Sequence, residues 1–166
     1  MKLKAAFFDR DGVLNVDKSY LYKIEDLEWI DGAKEALAYL TQQGYTIFVV
    51  TNQSGIARGY YTVDDMNKLH EFMAQQVAAA GGKIEKFYYC PHLPEGKIAE
   101  YAVECDCRKP KPGLILRAFE EYGIDKDAAF LNGDKPRDVE SAEAAGIKGY
   151  LFSGGNLLNF VKEIVG

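Results

Sequence analysis

Apolar positions along this 166-residue chain follow two different periods. Short runs in which nearly every residue is apolar stop abruptly at polar residues and glycine, the pattern of a strand buried on both faces. Between them lie longer stretches with apolar residues at helical spacing. The first run, Ala5-Ala6-Phe7-Phe8, ends in Asp9-Arg10-Asp11-Gly12. Leu14 to Ile30 has no clear period and reads as loop or short turns. From Asp31 the residues Ala33, Ala36, Leu37 and Leu40 predict a helix that stops at Gly44. Tyr45 to Val50 predicts a second strand, ending in Thr51-Asn52-Gln53-Ser54-Gly55. Thr62-Val63-Asp64-Asp65 resembles a capping box and opens a helix lined by Met66, Leu69, Met73 and Val77.

A third strand is predicted over Ile84 to Tyr89, followed by a long loop from Cys90 to Lys111. Pro112 suits the first turn of a helix whose apolar side is Ile115, Ala118, Phe119 and Tyr122. Ala128 to Leu131 predicts a fourth strand, ending in Asn132-Gly133-Asp134-Lys135. A helix through Val139, Ala142 and Ala145, a strand at Tyr150 to Phe152 and a helix from Leu157 to Val165 complete the alternation. Strand and helix alternate about five times, which implies a Rossmann-like α/β fold: a parallel sheet with helices on both faces. Functional groups in that architecture gather beyond the carboxyl ends of the strands. Three such ends here carry Asp9 and Asp11, Thr51 and Asn52, and Asp134 and Lys135.

Composition narrows the picture further. The length suits one domain over residues 1–166, with no room for a separate cap domain. Forty-eight per cent hydrophobic residues argue for an ordinary globular core. The balance of 20 Lys and Arg against 25 Asp and Glu, a net −5, argues against nucleic-acid or acidic-membrane partners. The apolar run behind Met1-Lys2-Leu3-Lys4 is too short for a signal peptide, and no run approaches the ~20 residues needed to span a bilayer. A cytoplasmic monomer is the expectation.

The strand-end residues suggest phosphoryl transfer. Carboxylates there suit Mg2+, which leaves coordination positions for phosphate oxygens and water. A threonine hydroxyl and backbone N–H groups can donate to phosphate, and a lysine can neutralise its charge. One aspartate can attack phosphorus, and a second, two residues on, can move protons. Arg10, Arg58, Arg108, Lys109, Lys111, Lys135 and Arg137 all fall in or beside these loops. A cationic site on an anionic body implies a phosphorylated small molecule as substrate.

The three cysteines all lie in the long loop of about residues 90–109. Cys90-Pro91-His92 and Cys105-Asp106-Cys107 offer three thiolates and one imidazole, a set that suits a closed, structural Zn2+ site. A disulfide would leave one cysteine over and require an oxidising compartment. Zinc would fix the loop and so orient Arg108 and Lys109, which follow Cys107 directly. His70, the second histidine, reads as a packed or surface residue of its helix rather than a ligand.

These segments also carry a resemblance. Asp9-Arg10-Asp11-Gly12-Val13 resembles the first motif of the haloacid dehalogenase superfamily, with Val13 where threonine is common. Thr51-Asn52 resembles its second motif, Lys109 its third, and Gly133-Asp134-Lys135 with Asp138 its fourth. Within that superfamily, DRDGVLN, TNQSGIARG, the cysteine loop and NGDK resemble the bacterial phosphatases that remove the 7-phosphate of D-glycero-D-manno-heptose 1,7-bisphosphate. Those enzymes serve lipopolysaccharide or related glycan precursor synthesis.

The resemblance implies Asp9 as nucleophile and Asp11 as general acid and base. It implies Mg2+ held by the Asp9 carboxylate, the Asp11 carbonyl and Asp134, with Thr51 and Lys109 on the transferring group. Asp17, Lys18, Ser19, Tyr20, Asn52, Gln53, Ser54, Arg108 and Lys135 would contact a sugar bisphosphate, Arg108 at its distal part. A histidinol-phosphate phosphatase, with similar motifs and a similar zinc loop, remains an alternative. So does a receiver-like phospho-aspartate domain, although the chain has Thr51-Asn52 where a receiver needs its acceptor aspartate.

Overall fold

The computed structural model describes residues 2–166. Five strands form one sheet, all parallel: β1 (Leu3–Phe8), β2 (Tyr45–Asn52), β3 (Ile84–Cys90), β4 (Ile124–Gly133) and β5 (Lys148–Leu151), in the order β3-β2-β1-β4-β5. Helices α1 (Ala33–Gln42), α2 (Val63–Ala79), α3 (Gly113–Glu121), α4 (Pro136–Ala144) and α5 (Leu157–Val165) make up the rest of the regular structure, with one 3-10 turn at Ile24–Asp26.

The inner strands are buried on both sides, and β1 shows why its sequence is apolar throughout. Ala6 and Phe8 enter a core formed with Leu37 and Leu40 of α1, Leu69 and Met73 of α2, and Leu157 and Val161 of α5. Ala5 and Phe7 point the other way, against Leu114, Ile115 and Ala118 of α3 and Ala142 of α4. Successive side chains alternate between the faces, so two cores need an unbroken apolar run. Fully burying side chains of this size contributes about 1.5–3 kcal/mol each.

Helix α2 starts as the sequence predicts. The Thr62 side chain accepts from Asp65 N, and the Asp65 carboxylate accepts from Thr62 N, at 3.1 and 3.0 Å. Its stripe of Met66, Leu69, Met73 and Val77 is fully buried.

Two strands differ from the pattern-based expectation. β4 begins at Ile124, four residues before the predicted start. Asp125 is half-buried and Lys126 and Asp127 are exposed, with the Lys126 ammonium over the Phe119 ring at 5.0 Å, so polar side chains reach solvent there and hydrophobicity ceases to report the strand. β5 is an edge strand ending at Leu151, which is half exposed, while Phe152 lies beyond the strand and is buried.

The connections are unequal. Those running from helix to the next strand cover residues 43–44, 80–83, 122–123 and 145–147. Those leaving strand ends include 9–32, 53–62 and 91–112. Strand order reverses between β1 and β4, and at such a point the neighbouring loops diverge and open a crevice. No helix among the described residues is long and apolar enough to cross a membrane.

Candidate active site

Asp9 is the first residue past β1, opposite the end of β4, and its backbone N–H donates to Asn132 O at 3.0 Å. Its carboxylate Oδ1 receives the Lys109 ammonium at 2.9 Å and the Arg10 backbone N–H at 2.9 Å. Lys109 comes from the loop after β3. Its Nζ also lies 2.6 Å from Asp138 Oδ1 and donates to Val50 O at 3.1 Å. Asp138, fully buried in the first turn of α4, uses its other oxygen to accept from the Asp134 and Lys135 N–H groups at 3.1 and 3.0 Å. One carboxylate therefore caps α4 and anchors the lysine.

Burial pushes the Asp9 carboxyl up, to about 8, against the pull of Lys109. Burial would push Lys109 down, but the Asp9 and Asp138 carboxylates outweigh it and hold the ammonium above its ordinary value. Asp134 is raised as well, chiefly by burial.

Carboxylate oxygens of Asp9, Asp134 and Asp138 fall within 4.8 Å of one another. Asp138 is committed to Lys109 and the helix, whereas Asp134 Oδ1 is buried with no partner. Gly12, at φ +90°, lies so close to Asp134 that a Cβ there would come within 2.1 Å of Asp134 Oδ2. The Asp11–Gly12 backbone thus rests against an unsatisfied carboxylate. A hard divalent cation among these groups would satisfy Asp134 and offset the crowding of negative charge that burial aggravates.

Asp11 faces a different environment. Oδ1 accepts from Arg10 Nη2 at 2.9 Å and Asn15 Nδ2 at 3.0 Å, and Oδ2 accepts from Gln53 Nε2 at 3.2 Å. The same Gln53 Nε2 donates to Thr51 Oγ1 at 2.9 Å, and Tyr61 OH donates to Gln53 Oε1.

A cavity of about 330 Å³ opens over Asp9 and Asp11. Asp17, Ser19 and Tyr20 line one side, and Asn52, Gln53 and Ser54 another. Arg108, Lys109, Asp134 and Lys135 line it too. Two of the residues expected to meet substrate do not line it. Lys18 turns outward to Glu28, at 3.1 Å, and Thr51 is buried beneath the wall. Asn52 stands above Thr51. Its Oδ1 accepts from Lys109 N at 3.1 Å, and its Nδ2 is buried without a partner.

Ser19 and Tyr20 both adopt positive φ, 55° and 75°, a costly conformation for side chains of this kind. Asp17 Oδ1 accepts from Ser19 N, and the Arg58 guanidinium stands over the Tyr20 ring at 5.7 Å.

Of the cations grouped from the sequence, Arg10 and Lys111 leave the set. Arg10 is wholly buried and paired with Asp11, and Lys111 donates outside the cavity to Cys105 O at 2.6 Å. Arg58 and Arg137, grouped with them from the sequence, do line the cavity. Arg58 Nε and Arg108 Nη1 are buried without partners. Tyr61 and His70 were not among the sequence-derived site residues, and Asp138 entered only as part of the fourth motif without a role, because each acts through a contact between elements distant in sequence.

The long loop gathers its four soft ligands. Cys90 Sγ lies 3.6 Å from His92 Nδ1 and 3.5 Å from Cys105 Sγ, and Cys107 Sγ lies 3.4 Å from His92 Nδ1. All four ligand atoms fall within 4.8 Å of one another. Bond lengths of about 2.0–2.3 Å to a tetrahedral ion require ligand separations of about 3.5–3.8 Å, so the set has the dimensions of a zinc site. Hydrogen bonding from Cys90, with His92 beside it, pulls the Cys107 thiol down toward the thiolate that a metal would use. The loop is tied to the β2 side through Lys97 N and Ile98 N, which both donate to Ala57 O.

A parallel sheet with a nucleophile-like aspartate after β1, a second carboxylate two residues on, and a lysine and an acidic turn converging from other strand ends defines a phosphoryl-transfer hydrolase of the haloacid dehalogenase type. The family model "Haloacid dehalogenase-like hydrolase" matches residues 6–80, and a second, HAD-hydrolase-like, matches residues 106–158.

Similarity to curated proteins is narrower in kind. The D-glycero-beta-D-manno-heptose-1,7-bisphosphate 7-phosphatase of Pasteurella multocida is 48% identical over 145 residues, 87% of this chain and 78% of that protein. The D-glycero-alpha-D-manno-heptose-1,7-bisphosphate 7-phosphatase of Campylobacter jejuni is 46% identical over 147 residues, 89% of this chain and 80% of that one. Among solved structures, the D,D-heptose 1,7-bisphosphate phosphatase of B. bronchiseptica, complexed with magnesium and phosphate, superposes with a TM-score of 0.81. It is 34% identical, over 98% of this chain and 87% of that chain. The chain belongs to this heptose-bisphosphate phosphatase family of haloacid dehalogenase-like hydrolases.

Proposed function

We propose that the protein removes the 7-phosphate of D-glycero-D-manno-heptose 1,7-bisphosphate through an aspartyl-phosphate, serving heptose-containing glycan precursor synthesis. The observation that carries the mechanism is the unequal treatment of the two carboxylates. Asp9 is buried against Lys109 at the floor, where an attacking oxygen must sit. Asp11 is held by neutral and cationic donors on both oxygens at the cavity edge. Asp9 attacks phosphorus while Asp11 delivers a proton to the departing sugar oxygen. Asp11 then takes a proton from the water that releases phosphate from Asp9.

The Lys109 charge and the free amide N–H of Asn52 face the transferring group. Thr51, from beneath, steadies Gln53 and the strand end. Asp9, Asp134 and the Asp11 carbonyl would hold Mg2+, which supplies charge neutralisation for the phosphoryl oxygens. Cys90, His92, Cys105 and Cys107 would hold Zn2+ as a structural ion. Arg58, Arg108, Lys135 and Arg137 line the same cavity, which suits a second phosphate better than the uncharged hydroxyl end of a simple monoester. A cavity ringed by four cations supports the bisphosphate over histidinol phosphate, whose distal group is itself a cation.

Phosphate release with Mg2+ from both anomers of the heptose bisphosphate, and from histidinol phosphate, tests the assignment. The bisphosphate is expected to turn over fastest, and Asp9→Asn is expected to reduce release to background. Comparable rates on histidinol phosphate would overturn the substrate. Release surviving Asp9→Asn would overturn the covalent mechanism.

A further inference from the structure

Arg10 is the largest fully buried side chain of the molecule, and nothing in phosphoryl transfer requires a cation there. Each nitrogen of its guanidinium has a partner inside the protein. Nη2 and Nε donate to Asp11 Oδ1 at 2.9 and 3.3 Å, Nη2 also donates to Leu21 O at 2.9 Å, and Nη1 lies 3.2 Å from His70 Nε2. An arginine can only donate, so Nε2 accepts and the imidazole is neutral with its proton on Nδ1. Burial and the neighbouring guanidinium agree, pushing His70 well below its ordinary value. The ring is itself fixed, stacked on Phe87 of β3 at 4.1 Å and 11°. Elements α2 and β3 thereby reach Asp11 through two side chains.

The other oxygen of Asp11 is treated similarly. Tyr61 is almost wholly buried, with its ring stacked on Tyr22 at 5.3 Å. Its hydroxyl holds Gln53 Oε1, which turns Gln53 Nε2 toward Asp11 Oδ2. A carboxylate that must serve both leaving oxygen and attacking water has to occupy one rotamer throughout. Each of its oxygens meets a donor whose own orientation is set by a buried ring.

We propose that His70 and Tyr61 are positioning residues for the reaction: through Arg10 and Gln53 they clamp the two oxygens of Asp11 in the orientation that proton transfer needs. The inference rests on the two-step reading above, in which Asp11 moves protons for both steps. Misplacement of a catalytic group by about 1 Å can cost as much as 10²-fold in rate. The loss should fall on the second step when the leaving group needs no proton.

The test uses p-nitrophenyl phosphate with the Mg2+-loaded full chain. Asp9 attacks phosphorus, and the P–O bond breaks with its electron pair leaving on p-nitrophenolate. Water then attacks phosphorus, gives its proton to Asp11 and releases phosphate from Asp9. His70→Leu removes the acceptor, His70→Gln keeps one at similar reach, and Tyr61→Phe removes only the hydroxyl.

Expected are a fall in kcat of about 10-fold or more in His70→Leu and Tyr61→Phe, KM within twofold, and an enlarged pre-steady-state burst as phosphoenzyme accumulates. His70→Gln should recover most of the rate. Wild-type kcat in folded His70→Leu and Tyr61→Phe would overturn the proposal. So would an equal loss in His70→Gln and His70→Leu, or a fall without a larger burst. Should His70→Leu fail to fold, Tyr61→Phe decides by the same readouts. An Asp9→Asn enzyme that still releases phosphate would instead defeat the two-step reading, and the aryl substrate leaves the identity of the sugar out of the comparison.

Discussion

Asp138 shows how one buried side chain serves three groups. It caps α4 through the Lys135 N–H, supports Asp134 through that residue's N–H, and faces the Lys109 ammonium at 2.6 Å. Gly133 must be a glycine beside it, since a Cβ would come within 2.1 Å of Asp138 Cβ. Replacing Asp138 by alanine leaves the buried Lys109 ammonium with one carboxylate. Removing one partner of a buried pair costs roughly 3–5 kcal/mol, and urea denaturation of Asp138→Ala should show a loss of that order. An unchanged midpoint would mean that Asp9 alone compensates the lysine.

The sequence made Asp9, Asp11 and Asp134 visible because each falls within three residues of the end of an apolar run. His70 and Arg10 were not legible in that way. Nothing local tells that an arginine in a polar loop is fully buried, or that a helix histidine accepts from it across 60 positions of chain. The same blindness placed Arg10 among the cavity cations.

At the scale of elements, the long loop after β3 decides whether the lysine is in place. Lys109 lies two residues past Cys107, and the loop between Cys90 and Cys107 contains no helix or strand, its backbone held by turns, by Leu93 N donating to Tyr101 O, by Gly113 N donating to Asp106 O and by the ties to Ala57. Cys107→Ala should release zinc, measured by metal analysis, and lower turnover by freeing Lys109, while Mg2+ affinity changes little because Asp9 and Asp134 each sit directly past the end of a strand, β1 and β4. Full turnover in a zinc-free Cys107→Ala chain would refute that linkage.

Helix boundaries were readable to within a few residues, because caps and apolar stripes are local signals. Thr62 and Asp65 are an instance. The start of β4 was not readable, because Asp125 is half-buried, Lys126 and Asp127 are exposed, and the segment lacks an apolar period. The cysteine cluster was readable from spacing alone, since few other arrangements explain three thiols and an imidazole in one loop.

The whole molecule carries a net −5, yet the cavity displays Arg58, Arg108, Lys135 and Arg137. A local field opposite in sign to the overall charge draws polyanions to one place and repels them elsewhere. Raising ionic strength from about 0.05 M to about 0.5 M shortens the screening distance roughly threefold. KM for the bisphosphate should therefore rise with salt, by a larger factor than KM for a sugar monophosphate, while kcat holds steady. Equal shifts for the two substrates would show that the distal cations do not engage the second phosphate.

The unequal connections of the sheet have a practical meaning for handling the molecule. Every residue lining the cavity lies at or just beyond the carboxyl ends of β1, β2, β3 and β4, whereas the turns at 43–44, 80–83, 122–123 and 145–147 hold none of them. A dye, a surface tether or a fused reporter attached at Gly44 or Gly123 would stand at the far rim, a full strand length from the chemistry. The molecule offers one rim for reaction and the other for grip.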